Sequence, residues 1–202
     1  MNKLFYIYKI DFYKSIKLIF ILYNINMAML NDAPHFEKQK NNYYTTKQMW
    51  KNISHLIPKN KIIWEACMMN SKSKSIQYWT ELNYTVVGDN TIDCLEQNDL
   101  EYDMIITNPP FETKIKQKIL RRLVEIDKPF IIIMNCMNIF TKYIREIFKD
   151  KFDDLQIIYP DNKIKFEVEN EKGELVKAGD PSFYCVYVAY KMNIDNKNLY
   201  LK

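Results

Sequence analysis

Tyr102–Thr107 (YDMIIT) is an almost continuous apolar run that passes straight into Asn108-Pro109-Pro110. A run without polar alternation marks a strand buried on both faces, which a sheet offers when helices cover both of its sides. Neither proline has an amide hydrogen to give to a ladder, so the chain must leave the sheet rigidly here. Lys61–Ala66 (KIIWEA) and Pro129–Met134 (PFIIIM) repeat the pattern, and Tyr84–Val87 is a shorter strand closing on Gly88-Asp89. Helical spacing fills the gaps. Thr45–Leu56 sets Met49, Ile53 and Leu56 on one side before Pro58, and Ser73–Leu82 spaces Ile76, Trp79 and Leu82 three apart. Thr113–Ile126 and Ile139–Phe148 complete the set, followed by strands at Leu155–Tyr159, Ile164–Val168 and Phe183–Tyr190. The last two read as a hairpin around Glu171–Asp180. The expected fold is α/β, a doubly wound, mostly parallel sheet with an antiparallel C-terminal hairpin.

Charge and cysteine usage bound the partners. The 202 residues carry a net charge of +4, of which residues 1–26, with four lysines and one aspartate, supply +3. A basic surface must therefore be local. Lysine outnumbers arginine 26 to 3, beside 27 isoleucines and 20 asparagines, a bias that reflects an AT-rich coding sequence. Cys67, Cys94, Cys136 and Cys185 lie far apart, and only two histidines exist. A disulfide scaffold and a Cys/His zinc site are disfavoured, no metal is expected, and a reducing, cytoplasmic compartment fits. Leu18–Tyr23 is apolar, but Lys9, Asp11, Lys14 and Lys17 break up any long uncharged span, so no stable membrane association is expected. Residues 1–30 read as an extension outside the core, 31–192 as the domain and 193–202 as a tail; a monomer is expected.

In a doubly wound sheet, ligands sit beyond the carboxyl ends of the strands. That rule selects Glu65, Asp89 and Asn108. At Asn108, the side-chain carbonyl and the Pro109 main-chain carbonyl can accept both hydrogens of an exocyclic amino group, and Phe111 can stack on its ring. Thr113–Arg122 holds five basic residues and no acid. Ile115, Ile119, Leu123 and Ile126 fall on one side of that helix, Lys114, Lys118, Arg121 and Arg122 on the other, and Lys116 intrudes on the apolar side. The basic side is a solvated face or a phosphate contact.

Asn108-Pro109-Pro110-Phe111 resembles the signature of amino methyltransferases that use S-adenosylmethionine, an Asn, Asp or Ser followed by two prolines and an aromatic residue. The resemblance covers roughly residues 42–190 and is closest to adenine-specific DNA methyltransferases of phages and large DNA viruses. Tyr43-Tyr44-Thr45-Thr46 looks like that family's upstream segment at the cofactor's methionine end, with Thr46 in place of proline. Trp64-Glu65-Ala66-Cys67-Met68-Met69-Asn70-Ser71 stands where the family has its cofactor loop. Asp89 falls at the position that holds the ribose hydroxyls, and Asp93, in Ile92-Asp93-Cys94-Leu95, at the one that meets adenine. Lys163-Ile164-Lys165-Phe166 looks like an element near the C-terminal hairpin of the same relatives.

The resemblance implies a Rossmann-like class I methyltransferase fold, S-adenosylmethionine as cofactor and DNA as partner. It implies Asn108, Pro109, Pro110 and Phe111 as the catalytic element. Tyr44, Thr45, Glu65, Ala66, Asp89 and Asp93 would bind the cofactor, and Lys114, Lys118, Lys163 and Lys165 would lie along nucleic acid. Glutamine and guanine 2-amino methyltransferases share such a tetrapeptide, so RNA and protein glutamine stay open as acceptors. The turn Cys67–Ser71 carries no glycine, where side chains narrow the approach to a ligand. An enzyme with a shifted loop and a non-catalytic DNA-binding descendant are both compatible with it.

Overall fold

The computed structural model describes residues 43–68, 73–88, 94–194 and 198–201. Residues 1–30, Met69–Ser71, Asp89 and Asp93 lie outside these. The central sheet has seven strands: β2 (Ile62–Trp64), β3 (Thr85–Val87), β4 (Met104–Thr107), β5 (Phe130–Asn135), β6 (Leu155–Tyr159), β9 (Cys185–Tyr190) and β10 (Asn198–Tyr200). Their order is β10-β6-β9-β5-β4-β2-β3. Strand β9 runs antiparallel to both of its neighbours, and every other pairing is parallel. The fold is a mixed α/β arrangement around a mostly parallel sheet, as the apolar runs imply.

Two-sided burial is visible residue by residue. Along β5, Ile131 and Ile133 join one core while Phe130, Ile132 and Met134 join the other; along β9, Tyr187 and Ala189 part from Val186, Val188 and Tyr190 in the same way. The first core packs under α1 (Lys47–Ile53) and α2 (Ser75–Glu81), the second under α3 (Thr113–Ile126) and α4 (Lys142–Phe148). In the first, the Trp50 and Trp79 rings meet at 5.5 Å, and the Tyr187 hydroxyl donates to the Met49 carbonyl at 2.8 Å. Helix α3 ends at Asp127, held left-handed at φ 60. The Asp127 carboxylate accepts from Lys151 (2.6 Å), Lys191 (2.5 Å) and the Tyr190 hydroxyl (2.7 Å), which ties the helix end to the end of β9. Among the described residues, no helix is long and apolar enough to cross a membrane.

A second, antiparallel sheet joins β1 (Tyr44–Thr45), β7 (Phe166–Glu169) and β8 (Leu175–Lys177) in the order β1-β7-β8. The C-terminal hairpin is therefore β7-β8, not β7 with β9. Asn170 shapes its turn, its side chain accepting from the amides of Lys172 and Glu174, and Gly173 sits at φ 81. Strand β9 is buried along its whole length and takes the inner place between β5 and β6 that such a strand requires. Strand β10 falls within 193–202 and extends the sheet beside β6.

Candidate functional site

Strands β2, β3 and β4 are parallel, so Glu65 and Gly88 reach the carboxyl edge level with each other, and β4 runs two residues further to Asn108. Glu65 is 2% exposed. The Cys67 amide donates to the Thr107 hydroxyl at 2.9 Å, and that hydroxyl donates to Glu65 Oε1. The second oxygen, Oε2, has no hydrogen-bond partner. Burial pushes the carboxyl up to about 7, against the pull of Thr107, the Cys67 amide and the Ser75 hydroxyl.

Gly88 supplies a close approach. A Cβ built there would lie 2.8 Å from the Glu65 carbonyl oxygen and 3.2 Å from Ile76, so only glycine fits without moving backbone. Ala66, the next residue after Glu65, is buried. The turn after Glu65 lacks glycine, yet the facing strand end has one.

Asn108 donates from Nδ2 to the Tyr43 carbonyl at 2.8 Å. A carbonyl only accepts, so this bond fixes the amide orientation and turns Oδ1 the other way. Oδ1 is buried and unpartnered. Phe111 sits in an aromatic cluster, with ring centroids 5.2 Å from Phe183, 5.5 Å from Tyr43 and 5.8 Å from Phe166. These meet because β1 pairs with β7, Thr45 opposite Phe166. Two segments singled out separately in the sequence, 43–46 and 163–166, thus form one wall beside Asn108. Thr45 is 3% exposed, and its hydroxyl also lacks a partner. Buried polar atoms are ordinarily paired. Among the described residues, the unpaired ones are Thr45 Oγ1, Glu65 Oε2 and Asn108 Oδ1 at this edge, with Trp79 Nε1, Arg122 Nε and the Tyr143 hydroxyl elsewhere.

The lysines divide. Lys114 and Lys118 are exposed on α3. Lys163 and Lys165 both reach Asp180, at 3.2 and 3.0 Å, so one carboxylate shares two cations. Lys116, the intruder on the apolar side, is 4% exposed and donates to the Phe111 carbonyl at 3.3 Å. Its role was hidden in sequence, as were those of Thr107 and Phe183, whereas Tyr43 and Phe166 carried a signal as parts of motifs. Tyr44 lies in β1, and Pro109 and Pro110 follow the end of β4.

No family model and no curated protein matches the chain. Solved structures do. A Listeria monocytogenes protein assigned to the class I S-adenosylmethionine-dependent methyltransferases aligns over 87% of this chain and 70% of its own, at 12% identity and a TM-score of 0.46. A dimethyladenosine transferase from Plasmodium falciparum covers 74% of this chain and 62% of its own, at 12% identity and 0.42. A Thermus thermophilus 16S rRNA methyltransferase, solved with AdoMet and guanosine, covers 79% and 44%, at 15% identity and 0.41.

Proposed function

We propose that this chain transfers a methyl group from S-adenosylmethionine to the 6-amino group of adenine in DNA, working as a monomer. The observation that carries the reading is the Asn108 carboxamide, whose nitrogen is tied to Tyr43 while its buried oxygen has no partner. When bound, the cofactor supplies an electrophilic methyl on a sulfonium. Thr45 Oγ1 and Glu65 Oε2 are unpartnered polar atoms that could meet its polar groups. Asp89 and Asp93, by the resemblance, would hold the ribose and adenine.

The chain's own part in the reaction is alignment. An exocyclic amine conjugated to a ring is a weak nucleophile. Hydrogen bonds to Asn108 Oδ1 and the Pro109 carbonyl draw its lone pair out of conjugation and aim it at the methyl. The two prolines keep the pair of acceptors from drifting apart. Phe111 offers its ring to an extruded base, a contact worth ~1–3 kcal/mol. Lys114 and Lys118, exposed on α3 beyond the turn, would contact phosphates.

Transfer of tritiated methyl to DNA, RNA and protein acceptors in parallel tests the reading. Label in DNA adenine supports it, and label in RNA or protein glutamine moves the acceptor class. No transfer and no cofactor heat at millimolar concentration would identify a non-catalytic descendant.

A further inference from the structure

Phe183 and Tyr184 stand side by side just before β9, whose first residue, Cys185, pairs with Asn135 at the carboxyl end of β5. Phe183 turns inward onto Phe111 and Tyr43. Tyr184 is 64% exposed, the most open large apolar side chain among the described residues. Its backbone is held, since the Cys136 amide donates to its carbonyl at 2.9 Å. The Lys163 ammonium lies 4.7 Å from the centre of its ring, covering one face, so the exposure falls on the other face and the hydroxyl edge. The recorded contact on the ring is a cation, Lys163, which shares Asp180 with Lys165, and this basic setting favours a flat ligand carrying negative charge over an apolar protein partner.

Resting on the reading above, we infer that Tyr184 is a stacking platform for the nucleotide next to the acceptor base, with Lys163 and Lys165 on its phosphate. Tyr184 directly follows Phe183, whose ring touches Phe111, so the acceptor and its neighbour are gripped as unpaired bases on adjoining surfaces. Asp180 gives up its two cations to the incoming phosphate, which makes this contact dependent on salt.

The test is anisotropy of a dye-labelled single-stranded oligonucleotide with the full chain and with Tyr184→Ser, Tyr184→Phe and Phe111→Ala, each checked by thermal melting. Tyr184→Ser weakens binding at least ~10-fold, Tyr184→Phe retains it, and Lys163→Ala lowers the salt dependence. A further variant, Tyr184→Trp, places an exposed indole whose fluorescence the oligonucleotide quenches. Unchanged affinity in Tyr184→Ser, with a loss in Phe111→Ala, overturns this inference alone. A parent that binds no oligonucleotide overturns the nucleic-acid reading with it. A change of oligomeric state in Tyr184→Ser with oligonucleotide affinity intact assigns the ring to a protein contact and likewise overturns the inference.

Discussion

Asn108 reaches back 65 residues to donate its side-chain amide to the Tyr43 carbonyl at 2.8 Å, so the turn after β4 is fastened to the strand that walls it. The bond does two things at once. It satisfies a donor that would otherwise be unpaired, and it leaves Oδ1 as the unpartnered amide atom. Asn108→Ala removes both. Turnover should fall at least ~10²-fold, the scale of losing a positioned transition-state hydrogen bond, while stability falls by only about 1 kcal/mol. Single-turnover rates and melts check this, and equal rates would sink the catalytic assignment. Asn108→Asp should be worse for the fold, because a carboxylate cannot donate to the Tyr43 carbonyl.

Gly88→Ala tests the close approach of β2 and β3. The added methyl would sit 2.8 Å from the Glu65 carbonyl oxygen, which is backbone and cannot swing away. Overpacking of this kind costs about 1–3 kcal/mol. The displaced strand end carries Glu65, so cofactor affinity should drop in the same variant. A melt and a cofactor titration matching the parent would show that the strand ends are looser than their packing indicates.

Glu65 gives a pH signature. Its folded value, raised by burial to about 7, exceeds the ordinary value of 4.5, so between those limits the folded chain binds more protons than the unfolded one. Stability from this site is full below about 4.5 and is lost as pH rises through 7, by roughly 3 kcal/mol. Glu65→Gln should flatten that part of the profile. Denaturant midpoints across the range measure it, and parallel slopes for parent and variant would mean that the carboxyl is solvated.

Burial on both faces is what made the sheet legible. Strands β4 and β5 are runs no other environment tolerates, and α3 spans the residues its apolar spacing implies. The hairpin was half legible. Asn170 and Gly173 mark its turn, but Leu175–Lys177 is a three-residue edge strand with little apolar signal, so the return was read into β9 instead. Strands β1 and β10 are equally short edges. At the site, strand-end position alone selected Glu65 and Asn108. Their partners Thr107 and Tyr43 lie 42 and 65 residues away, and no local pattern encodes such pairing.

Lys116 separates stability from positioning. Its ammonium is buried, its pKa is lowered by burial, and its hydrogen bond goes to the Phe111 carbonyl, not to a carboxylate. A buried cation without a counter-ion weakens a fold. Lys116→Met keeps the length of the side chain and removes the charge, so the variant should melt at or above the parent. The Phe111 carbonyl then loses its donor and the turn holding the acceptor ring loosens, so KM for the acceptor should rise several-fold with little change in cofactor affinity. The pH dependence has a definite sign. With the folded value depressed, the unfolded chain binds more protons in the window between the two values, so the parent gains stability relative to the variant as pH climbs through it. Melts of both proteins from pH 7 to 10 read that difference directly. A parent more stable than Lys116→Met at pH 7, with the gap constant up to pH 10, would mean that the ammonium is well solvated and only fills space.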